Sequence, residues 1–520
     1  MFAQTDVRPL LNAGARKADI AASALEAVVR QTLAGLACGR PLEGTVVFLG
    51  GPLEHIPSLV HRFRAALGLT RETGVKPPQA HLFTAKGAAL MAREPADDGA
   101  PPRAVSLSEL ERQVRAADDP ADDLDRLPPL FADAAERAAF EERHAAERMP
   151  RTRLFDCEGP LYLGLDAGST TVKCALVDGE GRLVYSDYRP AEGDVLETAA
   201  ALLGDMYRVM PREYGSAEPL AHLAHATATG YGEDLLRAAL GIDSGVVETT
   251  AHLRAARAFR PDVSFVLDMG GQDMKALWVR DGLVSDAVLN EACSSGCGAF
   301  VEGTSHSLHL SPARFSEAAL RAGSPVDLGT KCTVFMTSRV RHAQKIGAEP
   351  GDIAAGIAYS VVRNALYRII GRGRAAGMGD VVLVQGGAFK SDAVLRAFEL
   401  VAGVEAVRPD TAHLMGAIGA ALTARDRAQA AAAAGEKPRS ALADAARLAA
   451  LAPRRAAVRC PGCGNACALT VVTFEGARRF VAGNRCERAH GFLDGAPAGA
   501  GGAGAPRRAA GGGRRRAPAD

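Results

Sequence analysis

Two short glycine turns carry the residues best suited to phosphate chemistry. The segment LYLGLDAGSTTVKCALVD (161–178) reads as an apolar strand, a glycine turn and a return strand. The strand delivers Asp166, and Gly168 lets the backbone approach a phosphate closely. Ser169, Thr170 and Thr171 offer hydroxyl and N–H donors, and Lys173 adds positive charge. A carboxylate does not attract an anion directly, so the sensible role for Asp166 is to hold Mg²⁺ through water. The arrangement returns in FVLDMGGQDMKALWV (265–279), where Asp268 ends a strand, Gly270 and Gly271 make the turn, and Gln272, Asp273 and Lys275 follow on the return strand. One such turn could be a polar hairpin of any antiparallel sheet; two, each behind an apolar strand, are far more specific. A third element, VVLVQGGAFKSDAVLRAFE (381–399), is a strand, a Gly386-Gly387 turn and a helix start. It suits an adenosine contact, where a backbone without side chains lets a purine stack.

Cysteines form the second chemical group. Ten in 520 residues are too sparse for a disulfide scaffold. Cys293, Cys297 and Cys332 lie in the central region, and four crowd the segment 460–486. In a reducing compartment, clustered cysteines favour metal or iron–sulfur ligation. Cys460-x2-Cys463-x3-Cys467 and then Cys486, around LTVVTFEGARRFVAG, read as a metal knuckle. Zinc and an iron–sulfur cluster suit these thiolates equally. Cys157 and Cys174 lie beside or within apolar strand positions and Cys38 in a glycine-rich turn, all read as structural.

The elements that must position these groups follow from composition and pattern. The chain has 61 Lys+Arg against 60 Asp+Glu, a formal charge of +1, which excludes a polycation built for nucleic acid. An apolar fraction of 48% supplies ordinary cores. The length predicts about three folded units. No apolar run is long enough for a membrane-spanning helix, and the N-terminal stretch lacks a secretory h-region, so the cytoplasm is the expected compartment. Residues 159–425 alternate short Val/Leu strands, glycine turns and Ala-rich helices, the pattern of an α/β domain. Residues 93–158 read as a charged, Pro-rich helical linker, 426–455 as an Ala-rich helix and linker, 456–492 as the cysteine knuckle and 493–520 as a disordered low-complexity tail.

Residues 1–92 repeat part of this domain. Asp19-Ile20-Ala21-Ala22 recurs as Asp352-Ile353-Ala354-Ala355, and Val28-Val29-Arg30 as Val361-Val362-Arg363. VVFLGGP (46–52) then answers VVLVQGGA (381–388), and AHLFTAKGAAL (80–90) answers AHLMGAIGAAL (412–422). The order is preserved, so 1–92 reads as the C-terminal half of a first copy whose complete version occupies 159–425. The first half of that copy is missing from the chain, which either begins inside a longer reading frame or keeps a relic half-domain.

Two hairpin phosphate loops and a late Gly-Gly-helix element resemble the actin-like ATPase superfamily of acetate and sugar kinases. Within it, the chain is similar to the activases of 2-hydroxyacyl-CoA dehydratases and benzoyl-CoA reductases. The likeness rests on LGLDAGSTTVKCALVD, HATATGYGEDLL (225–236), VETTAHLRAA (247–256), LDMGGQDMK (267–275), NEACSSGCGAFVEG (290–303) and KCTVFMTSRV (331–340). It implies an α/β, ribonuclease H-like fold of two related lobes with ATP and Mg²⁺ between them. Asp166, Ser169, Thr170, Thr171 and Lys173 would meet phosphate or Mg²⁺, and Asp268, Gly270, Gly271, Gln272 and Asp273 would complete that site. Gln272 or Asp273 would position the attacking water, and Gly386 and Gly387 would face the adenosine. Cys293 and Cys332 would be ligands of a [4Fe–4S] cluster bridging a homodimer, each subunit giving two of its four thiolates. Cys297 stands where smaller activases usually carry Thr; a spare ligand, a redox-active thiol and a small packing residue all remain open for it. The implied function is an ATP-dependent electron-transfer activator of an acyl-CoA dehydratase or reductase, fed by a ferredoxin or flavodoxin, with neither nucleic acid nor membrane as partner. A small-molecule kinase of the same fold and a non-catalytic nucleotide-binding scaffold are the alternatives.

Overall fold

The structure, a computed structural model, describes residues 10, 15–37, 44–93, 105–116, 124–168, 170–191, 194–214, 222–290, 297–330, 333–371, 377–460, 467–474 and 479–483. They divide into two units, 1–451 and 452–520. The larger opens with α1 (Lys17–Ala37) and a parallel pair of strands, β1 (Val46–Val47) and β2 (Gly74–Val75). Helices α2 (Gly51–His55) and α3 (Pro57–Leu67) connect the pair, and α4 (Phe83–Met91) follows it. Helices α5 (Leu107–Ala116) and α6 (Ala134–Ala146) lead to the main body.

The main body contains two five-stranded sheets of one design. The first holds β3 (Leu161–Ala167), β4 (Thr171–Val177), β5 (Leu183–Pro190), β6 (Leu223–Thr229) and β7 (Ser244–Gly245), in spatial order β5-β4-β3-β6-β7. The second holds β8 (Phe265–Met269), β9 (Met274–Arg280), β10 (Leu283–Asn290), β11 (Val382–Gln385) and β12 (Ala406–Val407), in order β10-β9-β8-β11-β12. In each, three strands are antiparallel and joined by short turns, and two more run parallel to the central one. A parallel neighbour requires a crossover. Helix α7 (Val195–Tyr214) supplies it in the first lobe. In the second it is α10 (Gly298–Ser307), α11 (Pro312–Leu320), α12 (Thr333–Lys345) and α13 (Pro350–Arg363). Helix α8 (Glu233–Leu240) connects β6 to β7, α9 (Glu248–Phe259) carries the chain from lobe to lobe, α14 (Asp392–Ala402) connects β11 to β12, and α15 (Met415–Ala433) closes the body. This is the actin-like α/β ATPase fold.

Burial explains the sequence pattern. Every residue of β3 is buried, as the apolar run of a strand covered on both faces requires. Helix α15 lies so close to that strand that a Cβ on Gly164 would stand 2.0 Å from the Ala417 carbonyl oxygen. On another side of α15, a Cβ on Gly419 would stand 1.8 Å from the Ala251 carbonyl oxygen of α9. The small residues of MGAIGAAL are therefore a packing requirement.

The N-terminal region follows the second lobe in detail. Val46 faces Gly74 across β1–β2 as Val382 faces Ala406 across β11–β12. Gly50 and Gly386 both have positive φ, 103° and 94°. Gly50 N–H donates to Ala80 O (3.1 Å), and Gly386 N–H donates to Ala412 O (2.8 Å). Helices α3 and α14 each have 11 residues and end on a left-handed glycine, Gly68 and Gly403. The surroundings differ: Val361 is fully buried, whereas its counterpart Val28 is 47% exposed. A Cβ on Gly87, the counterpart of Gly419, meets nothing within 4 Å.

Two stretches read as linkers fold onto the lobes. In 124–158, Leu130, Phe131 and Phe140 join the second lobe's core. Glu399 accepts both Arg143 guanidinium nitrogens at 2.8 and 2.9 Å and sits 3.2 Å from His144 Nε2. Charges that composition suggests are solvated instead pair across an interface. At the other end, α15 runs through the expected boundary at 425, and the strap after it docks through Ala443 N–H on Leu240 O (2.7 Å) and Ser440 Oγ on Asp243 (2.6 Å).

The smaller unit is an antiparallel sheet of β13 (Arg454–Arg459), β14 (Ala468–Thr473) and β15 (Arg479–Ala482). The tail from 484 onward lies outside the described residues. Among the described residues, no helix is long and apolar enough to cross a membrane.

A matched pair of substitutions tests these packing differences. Gly419→Ala is expected to cost about 3 kcal/mol or more, because a backbone carbonyl must move. Gly87→Ala should gain about 0.5–1 kcal/mol from helix propensity alone. Urea unfolding, with hydrogen exchange reporting on 17–93, checks both.

Candidate active site

Register builds the site. Across β3–β4, Asp166 is opposite Lys173; across β8–β9, Asp268 is opposite Lys275. Each turn is closed by one backbone bond, Gly168 N–H to Thr171 O and Gly270 N–H to Asp273 O, both 3.0 Å. The turns meet tip to tip: a Cβ on Gly271 would come within 2.8 Å of Thr170 Oγ1. Helix α10 fixes the second turn, with Gly298 N–H on Gly270 O (2.9 Å) and Ala299 N–H on Gly271 O (2.7 Å).

Between the lobes lies a cleft of about 460 Å³. Asp166, Gly168, Thr170, Thr171, Lys173, Asp268, Gly270, Gly271, Asp273, Gly386 and Gly387 all line it. Of the two residues considered for positioning water, Asp273 lines the cleft and Gln272 is not among its lining residues. Ser169, Cys293, Cys332, Cys463 and Cys486 lie outside the described residues. Cys297 is fully buried in the second lobe's core at the start of α10. Cys460 N–H donates to Cys467 O at 2.9 Å. Among the described residues, no three His, Cys, Asp or Glu side chains converge as metal ligands.

The charges are buried and paired. Lys173 Nζ donates to Asp166 Oδ2 at 2.8 Å. Burial disfavours the Lys173 ammonium, but Asp166, reinforced by Asp268 and Glu248, prevails and raises its pKa. Lys275 is held the same way: burial opposes its charge, and Asp268, Glu248 and Asp273 overcome it. Its Nζ lies 2.9 Å from Glu248 Oε1, also bonds Asp273, and stands 3.9 Å from Asp268 Oδ2. Burial pushes Glu248 up, yet His252 and Lys275 bring it well below the usual carboxylate range. Asp268 Oδ1 is buried and has no hydrogen-bond partner.

Six contributors escaped the sequence reading. Glu248 and His252 are one turn apart on α9 within VETTAHLRAA, a motif whose meaning depends on where α9 points. His252 Nδ1 lies 2.6 Å from the Gln385 side-chain nitrogen, while Gln385 Oε1 has no partner. Burial disfavours a charged His252, but Asp268 and Glu248 raise its pKa. Reversing the Gln385 amide would let Oε1 accept from a protonated Nδ1. At the other end, His413 packs edge-on to Tyr188 with centroids 5.4 Å apart, and Lys390 lies 4.9 Å from the same ring's centroid. Gly386 is obligatory there, since a Cβ would stand 2.4 Å from Met269 O.

The family model described as "BadF/BadG/BcrA/BcrD ATPase family" matches residues 163–424. The (R)-2-hydroxyglutaryl-CoA dehydratase activating ATPase of Acidaminococcus fermentans is 31% identical over 267 residues, 51% of this chain and 97% of that protein. The 2-hydroxyisocaproyl-CoA dehydratase activator of Clostridioides difficile is 28% identical over 271 residues, 51% of this chain and 96% of that protein. A solved structure of the activator of the 2-hydroxyisocaproyl-CoA dehydratase from Clostridium difficile, with bound ADPNP, aligns at 25% identity and a TM-score of 0.47, covering 54% of this chain and all of that one.

Burial first, then Lys390 and Lys173, push His413 down to about 4, from an ordinary value near 6.5. As pH falls through that window, the unfolded chain takes up a proton that the folded chain refuses, so stability should drop. His413→Asn should flatten that part of the pH–stability curve. An NMR titration should place the ring's midpoint near 4; a midpoint near 6.5 would contradict the burial.

Proposed function

Because the chain belongs to the BadF/BadG/BcrA/BcrD ATPase family, we propose that it is an ATP-dependent activator of a 2-hydroxyacyl-CoA dehydratase or benzoyl-CoA reductase type of enzyme, coupling ATP hydrolysis to low-potential electron donation. The observation that carries the ATPase half is the pair of Asp–Lys hairpins facing each other across one cleft. The activator half is supported by the names of the two dehydratase-activating relatives.

In this reading the triphosphate lies between the two turns. The hydroxyls of Thr170 and Thr171 and the backbone N–H groups of both turns bind it, and Lys173 exchanges part of its bond to Asp166 for a phosphate oxygen. Gly386 and Gly387 face the adenosine, with Tyr188 and the neutral His413 ring beside it. Mg²⁺ fits the donor set: Asp268 Oδ1 is a buried carboxylate oxygen with no hydrogen-bond partner, and Asp166 is the matching carboxylate on the other lobe. These two would hold the ion through water, and its chemistry there is neutralisation of phosphate charge. Asp273 orients the attacking water, supported by its position in the cleft lining.

Cys293 and Cys332 would hold a [4Fe–4S] cluster, whose chemistry when bound is one-electron transfer at low potential. Their type and position suit it: both are soft donors, Cys293 shortly before α10 and Cys332 immediately before α12, and thiolates are favoured near helix N-termini. The partners are then a dehydratase or reductase component, a second copy of the chain, and a ferredoxin or flavodoxin. Cys460, Cys463, Cys467 and Cys486 are assigned to a separate zinc or iron–sulfur knuckle, supported by the backbone bond joining Cys460 to Cys467.

Metal analysis and EPR after anaerobic purification test the electron-transfer half. About four irons per dimer are expected beyond any held by the knuckle, as one four-thiolate cluster requires. Cys293→Ser and Cys332→Ser should each remove that signal. Iron indifferent to both substitutions, or no iron at all, would sink it.

A further inference from the structure

A second cavity, of about 580 Å³, lies between α6 and the far side of the adenosine turn. One wall is Phe140, His144 and Arg148; the other includes Phe389, Lys390 and Arg408. The first wall comes from a segment outside the residues the family model matches. We infer that this cavity binds a small phosphate-bearing metabolite and couples its presence to the nucleotide cleft.

The charge balance within the cavity supports an anion. Its three carboxylates already have cations: Glu141 pairs with Arg137 at 2.8 Å, Asp392 with Arg408 at 2.6 Å and Asp410 with Arg151 at 2.8 Å. Arg148 and Lys390 are left. Arg148 Nε donates to the Ala145 carbonyl and Lys390 lies over the Tyr188 ring; neither joins an ion pair among the described residues. Two uncommitted cations in one cavity match a dianion, and phosphate is the common dianionic group near neutral pH. Phe140 and Phe389 supply apolar surface for an organic body, and the volume is of metabolite size.

The same geometry gives the coupling. Lys390, Ala412 and His413 line both the cavity and the nucleotide cleft. An anion that draws Lys390 toward α6 withdraws it from the Tyr188 ring and changes the charge beside His413. Affinity for nucleotide and affinity for the anion must then change by the same factor.

Inorganic phosphate is the probe, titrated at constant ionic strength against chloride, with thermal unfolding as the readout. The protein is first saturated with ADPNP and Mg²⁺, so phosphate cannot occupy the cleft, and the shift from ADPNP itself is recorded. A saturable rise in midpoint is expected. Arg148→Glu, at an exposed position outside the cleft lining, should abolish that rise and leave the ADPNP shift intact. Removing one negative charge from the lining with Glu141→Gln should lower the phosphate concentration needed several-fold. A rise that never saturates is a general salt effect, and a saturable rise that survives Arg148→Glu belongs to another site; either overturns the proposal. If ADPNP itself gives no shift, the nucleotide reading fails, and the Arg148-sensitive part of the phosphate response still decides the cavity.

Discussion

A buried carboxylate needs a counter-charge, and this protein meets that need twice in the same way. Each lobe places an aspartate one residue before the end of its central strand, and the return strand sets a lysine opposite it. Removing either lysine strands a carboxylate in a low-dielectric cleft, the costly half of any buried pair. The turns between partners are short because the register demands it. Glycines then crowd the carboxylates: a Cβ on Gly416 would stand 2.5 Å from Asp166 Oδ2, and one on Gly386 would stand 2.8 Å from Asp268 Oδ1. A cleft with paired charges and backbone walls thus follows from one electrostatic constraint.

The constraint also connects the lobes. Helix α9 leaves the first sheet and enters the second, and its first two turns carry Glu248 and His252 under both hairpins. Glu248 holds Lys275, and His252 touches Gln385 at the end of β11. A lobe rotation that parted the hairpins would have to break buried, charged contacts unless a polyanion and a cation replaced them.

Much of this was legible in local sequence. The hairpins could be read because strand, turn and return strand are contiguous, and a carboxylate and a lysine flanking a tight turn need no tertiary information to face each other. The small residues of MGAIGAAL were legible as a pattern, and only the packing of Gly164 and Gly419 against α15 and α9 gives their reason. Glu248, His252 and Gln385 were not, because only the crossing of α9 between sheets gives them a common target. Residues 124–158 read as a linker because Arg143, His144 and Glu136 count as solvent-loving until Glu399 and Arg396, more than two hundred residues later, pair with them.

The most direct test of the paired-hairpin site is steady-state ATP hydrolysis with and without Mg²⁺, comparing the wild type with Asp268→Asn. Asparagine keeps the shape and removes the charge from the buried oxygen that has no hydrogen-bond partner. Mg²⁺-dependent turnover in the wild type, reduced about 100-fold or more in the variant while ADPNP still binds, is the expected result. Undiminished turnover in Asp268→Asn, or hydrolysis indifferent to Mg²⁺, would contradict it.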